Sequence, residues 1–161
     1  MKEHWYEATY LLETLVMKAA GQDEDGMDLT FTNGPEKLEN QKSGSAFKRV
    51  MKKAEPKDGV HSDMRKSLGD IFASYLEELQ RKRGLVKNLT LIVLTDGIWA
   101  GMSEKNEVKQ KIVSFIKQLG QKVGDLKHRP VSIEFIQFGD DMEATYTLRR
   151  LDDELKWEGV P

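Results

Sequence analysis

A chain of 161 residues, 39% hydrophobic and 32% charged, is long enough for one domain with its own core, and a net charge of -2 gives no bulk pull toward nucleic acid or an anionic membrane. The absence of cysteine excludes disulfides, thiolate metal sites and cysteine nucleophiles, and fits a reducing compartment. The opening MKEHWYEATY has no apolar core of a signal peptide, and no apolar run approaches the ~20 residues of a membrane span, so an intracellular, cytoplasmic protein is expected.

Trp5, Ala8, Leu12, Leu15, Val16 and Ala19 recur at helical spacing, and Gly21 supplies a stop. A polar turn over residues 22–26 leads to a strand at 28–32, with Leu29 and Phe31 on one face, closed by Asn33-Gly34-Pro35. Residues 36–46 are polar and weakly patterned, with room for a short edge strand. A short helix spans 47–54 and ends at Pro56. A longer one follows, capped by Ser62 or Asp63, with Leu68, Ile71, Phe72, Tyr75, Leu76 and Leu79 inward. Residues 89–94 read as an apolar strand, buried on both faces as in a parallel sheet. Ser103 is expected to cap a helix burying Val108, Ile112, Phe115, Ile116 and Leu119, with Gly120 closing it. A third strand covers 130–138, and a last helix starts near Met142. Strands alternating with helices predict an α/β domain spanning 1–161, with a mostly parallel sheet and helices on both faces. Leu91, Val93, Ile133 and Phe135 should then be among its most buried residues.

In such sheets functional groups gather at the carboxyl ends of strands. Thr95-Asp96-Gly97 sits at such an end, although a turn in which the acid is a cap or turn former accounts for the spacing equally well. Asp23-Glu24-Asp25-Gly26 is not an EF-hand loop, because the sixth position counted from Asp23 is Asp28 rather than glycine. No metal-binding HExxH, nucleophile elbow or phosphate-cradling loop occurs. His61 adjoins Ser62, but no third orienting group for a serine hydrolase can be located.

DGMDLTFTN (25–33), GVHSDM (59–64) with the helix after it, LIVLTDG (91–97), SIEFIQFGD (132–140) and LDD (151–153) give the chain its resemblance to a von Willebrand factor type A domain, of the divergent kind seen in fungal proteins. The resemblance covers nearly the whole chain and implies a three-layer, Rossmann-like fold. It also implies a metal-ion-dependent adhesion site, usually holding magnesium, built by three loops: Asp-x-Ser-x-Ser, a threonine, and the aspartate of Thr-Asp-Gly. By that resemblance Asp96 is the third-loop acid, and Ser62 stands in place of the threonine. The first loop has no counterpart. Met1 falls where the family has the residue after Asp-x-Ser-x-Ser, so truncation just downstream of the first metal loop is expected, with the first, central strand missing, and the family's last strand has no counterpart either.

The resemblance implies a non-catalytic protein-interaction module with an incomplete adhesion site. Its metal residues would be Ser62 and Asp96, which are insufficient alone. A magnesium ion is expected only for a form carrying the first loop. The partner is a protein of unknown identity, not nucleic acid or membrane, and self-association through unpaired sheet edges is expected. The rivals are a small α/β enzyme using Asp96 in phosphoryl transfer or hydrolysis, and a non-functional fragment of a larger protein. No second acid at the required spacing near Asp96 supports the enzyme.

Overall fold

The computed structural model describes residues 1–19, 24–57, 59, 61–84, 86–101, 106–157 and 160. The expected stop at Gly21, the Asp23 end of the following turn and the Ser103 cap lie outside them. The described residues form a mixed α/β structure with five α-helices and two separate two-stranded sheets, one antiparallel and one parallel. None of the described helices is long and apolar enough to cross a membrane. The chain divides into two units, Met1–Ser62 and Asp63–Pro161.

In the first unit a short 3-10 turn leads into α1 (Trp5–Ala19), whose buried positions Ala8, Leu12 and Val16 keep the spacing of one helical face. α1 packs on α2 (Gly44–Lys53), which buries Phe47 and Met51. Trp5 fixes the pair from its half-buried position. Its indole Nε1–H donates to the Met51 carbonyl at 3.0 Å, and its ring lies 6.0 Å from that of Phe31. Between the helices, β1 (Met27–Thr30) pairs antiparallel with β2 (Lys37–Gln41). The expected edge strand is therefore β2. The register shifts between Met27 and Leu29, where Asp28 Oδ1 accepts the Asn40 amide at 2.7 Å.

The second unit is α3 (Met64–Arg81), β3 (Leu89–Thr95), α4 (Glu107–Val123), β4 (Val131–Gln137) and α5 (Met142–Trp157). Asp63, not Ser62, caps α3, its Oδ1 accepting the Lys66 amide at 2.9 Å. β3, α4 and β4 form a βαβ unit in which Leu89 to Thr95 run parallel to Val131 to Gln137 in unbroken register. Gly120 does not close α4. The helix continues one turn to Val123 and ends at Gly124, whose φ of 77° only glycine adopts cheaply and whose amide donates to the Gly120 carbonyl.

The deepest packing lies between helices. α3 contributes Met64, Leu68, Phe72, Tyr75 and Leu79, and α4 contributes Val108, Ile112, Phe115, Ile116 and Leu119. The Phe72 and Phe115 rings stack with centroids 4.0 Å apart and planes 3° from parallel, and Tyr75 meets Phe115 edge-on. The Tyr75 hydroxyl is within reach of the carbonyls of Lys87 (3.2 Å) and Pro130 (3.3 Å), which precede β3 and β4, and burial followed by the Glu78 carboxylate raises its pKa. Of the four strand residues expected to be most buried, only Val93 is. Leu91, Ile133 and Phe135 pack half-buried against the helical cluster. Nor is β3 dry on both faces, since Thr90 is exposed. The reason is the width of the sheet: among the described residues β3 and β4 each have a single strand neighbour, so neither is sheltered as an interior strand would be.

Candidate functional site

β3 brings Thr95 to the carboxyl end of the parallel pair, where the chain turns through Asp96-Gly97-Ile98. Thr95 is 3% exposed, the one polar side chain among the residues buried in the described core. Its hydroxyl oxygen accepts two hydrogen bonds, from the Gly97 amide at 2.9 Å and from the Trp99 indole at 3.0 Å. A buried hydroxyl is thereby satisfied, and the turn is pinned from beneath. Asp96 Oδ1 accepts the Ile98 amide at 3.1 Å, an Asx turn that holds the carboxylate at the strand end, half-exposed. Trp99 folds back so that its ring lies 6.1 Å from that of Phe135 on β4.

Gly97 is required twice over. Its φ is +77°, and a Cβ there would lie 2.6 Å from the Ala144 Cβ on α5. The start of α5 is itself fixed. Asp141 Oδ1 accepts the Ala144 amide at 2.7 Å as an N-cap, and Gln137 at the end of β4 donates to the Thr145 hydroxyl at 3.0 Å. The Phe138 amide donates to the Thr95 carbonyl at 2.8 Å, extending the ladder past the last strand residue. The Asp96 turn thus stands on three supports, the Thr95 hydroxyl, the β4 end and the first turn of α5.

Ser62 lies at the end of the first unit and is described there. The Asn33 amide is satisfied when its nitrogen donates to the carbonyls of Thr32 (3.1 Å) and His61 (2.8 Å) and its oxygen accepts from the Ser62 hydroxyl (3.1 Å). The Thr32 hydroxyl lies 3.2 Å from the same Ser62 oxygen. Ser62 therefore ties the loop before α3 to the residues just after β1. Thr32 and Asn33, some thirty positions away, are the partners that reading the sequence missed, and no local signal announces them.

A resident magnesium ion would need several free oxygen donors. Such an ion takes near-octahedral oxygen coordination and sheds water reluctantly. The Ser62 hydroxyl is engaged by Asn33 and Thr32, Asp96 Oδ1 by the Ile98 amide, and Asp63 caps α3. Among the described residues, no group of three or more histidine, aspartate or glutamate side chains could hold a metal ion.

Replacing Thr95 by valine keeps the shape of the side chain and removes the acceptor. The Gly97 amide and Trp99 indole then lose their shared partner, so a loss of ~1–3 kcal/mol is expected. Denaturant melts followed by tryptophan fluorescence measure it, and an unchanged midpoint would show that the turn stands without the hydroxyl.

Comparison with protein-family models, with curated proteins and with solved structures returns no match.

Proposed function

We propose that the chain is a non-catalytic protein-interaction module of the von Willebrand factor type A kind, with an incomplete adhesion site. One observation carries the reading: an acid held at the carboxyl end of a parallel strand, in a Thr-Asp-Gly turn supported by a buried threonine and by the first turn of α5. The element order agrees with it. A helix is followed by an antiparallel hairpin, two further helices, a parallel βαβ unit and a last helix. The sequence contains no Asp-x-Ser-x-Ser, so the module as it stands would recognise its partner without a metal.

The test is to add the loop. With one carboxylate and one hydroxyl to offer, the chain should bind magnesium or manganese only in the ~millimolar range or more weakly. A version with an apolar strand ending in Asp-x-Ser-x-Ser joined before Met1 should bind one ion stoichiometrically by calorimetry, and Asp96→Ala should abolish the gain. Failure of the added strand to create a site would remove the basis for the family reading. Binding by the unmodified chain tighter than ~100 µM, lost on Asp96→Ala, would show that other residues already complete the site.

A further inference from the structure

The backbone of β3 has a direction that its side chains conceal. In a parallel pair, alternate residues of a strand turn both N–H and C=O toward the same neighbour. The Leu89 amide donates to the Pro130 carbonyl at 2.9 Å, and the Thr95 carbonyl accepts the Phe138 amide at 2.8 Å, so the odd-numbered residues of β3 face β4. The even-numbered ones, Thr90, Ile92 and Leu94, turn their N–H and C=O groups to the opposite edge. Among the described residues no strand pairs with that edge, and none of these six groups has a hydrogen-bond partner.

Open edges in soluble proteins are ordinarily blunted by charge, proline, a bulge or shortness. β3 has none of these. It is seven residues long, LTLIVLT, carries no charge, glycine or proline, and keeps register with β4 from end to end. The outer strand of the same pair is different, because β4 carries exposed Glu134 at its centre. Antiparallel self-pairing of β4 would bring two such carboxylates together, whereas self-pairing of β3 brings no charges together.

We propose that the outer edge of β3 pairs with β3 of a second copy of this chain, antiparallel and centred on Ile92. A two-fold axis through that residue sets Ile92 opposite Ile92 and Thr90 opposite Leu94. At each of these positions both backbone groups face the mate, so every unpaired group of the edge is satisfied at once. Each pair of opposed side chains also lies on one face, Leu91 meeting Val93 on the side that packs against the helical cluster. The two parallel pairs become one four-stranded sheet with β3 of both copies inside it, an interface of the self-complementary kind that two-fold dimers use. The proposal uses only the β3–β4 ladder and stands independently of the family reading.

Sedimentation equilibrium of the full chain over a concentration series tests it. The mass should rise from 18.4 kDa toward twice that value. Backbone amide exchange at Thr90, Ile92 and Leu94 should slow as the concentration rises, with no such change at Leu91 and Val93, whose amides already face β4. Thr90→Pro deletes an outward N–H and leaves the β4 ladder intact, and it should hold the chain at the mass of one copy. A single monomeric species throughout the series overturns the proposal, as does association undiminished in folded Thr90→Pro. Should that variant fail to fold, the exchange data on the unaltered chain decide, and rates at 90, 92 and 94 independent of concentration overturn it.

Discussion

Phe115→Ala is expected to cost ~3–5 kcal/mol, a large part of the ~5–15 kcal/mol that holds a typical domain together. Phe115 is 2% exposed and sits where α3 and α4 meet, stacked on Phe72 and edge-on to Tyr75. Truncation removes the ring from both contacts. The hole left between two helices cannot close without bringing their backbones together, and partial collapse is what makes such cavities expensive. Phe135→Ala is the matched comparison. Phe135 is half-buried, and its ring meets Trp99 at 48°, so water and a shifted indole can refill much of the space. Urea melts of the two variants should put the larger loss at Phe115. Equal losses, or a larger one at Phe135, would mean that the sheet rather than the helix pair organises the core.

That contrast marks how far the sequence could be read. The apolar spacing of α3 and α4 was legible because period-3.6 burial depends only on which face turns inward. Leu68, Phe72, Leu79, Ile112, Phe115 and Leu119 are all buried as that spacing implies. The rank of the strands was not legible. An apolar run such as LTLIVLT says that a strand suits an interior position, but burial also depends on how many strands flank it, which is not written in the strand itself. The end of α4 shows a smaller failure of the same kind. Both Gly120 and Gly124 can terminate a helix. Val123 still packs against the core, and that contact offsets the ~1 kcal/mol cost of carrying Gly120 inside the last turns.

The site divides in the same way. Thr95-Asp96-Gly97 was visible as a strand-end turn because its turn chemistry is local, each side chain or amide bonding within four positions. The role of the Thr95 hydroxyl beneath the turn was not visible, since it depends on Trp99 folding back toward Phe135. Ser62 was visible only as a hydroxyl of the right type. Its engagement with Thr32 and Asn33 joins segments about thirty residues apart, and such pairings follow from the fold rather than from spacing.

Gly97→Ala is expected to cost about 2–5 kcal/mol, the sum of two separable effects. A φ of +77° strains an L-residue by ~1–2 kcal/mol, and the new methyl would stand 2.6 Å from the Ala144 Cβ, closer than two carbons can rest. The first turn of α5 cannot easily retreat, because the Asp141 cap and the Gln137–Thr145 hydrogen bond fix its start. Gly84→Ala separates the terms. Gly84 also has a positive φ, of 85°, after the end of α3, but a Cβ there meets nothing within 4 Å, so only the conformational strain should be felt. The steric term has its own signature. Ala144→Gly alone should destabilise by ~1 kcal/mol through helix propensity. Combined with Gly97→Ala it should recover part of the loss, since the two methyl groups no longer meet, and the double-mutant cycle should show that coupling directly. Thermal melts of the four variants and the unaltered chain supply every leg of the comparison. A cost at Gly97 no larger than at Gly84, with no coupling to position 144, would show that the turn carrying Asp96 does not rest on α5.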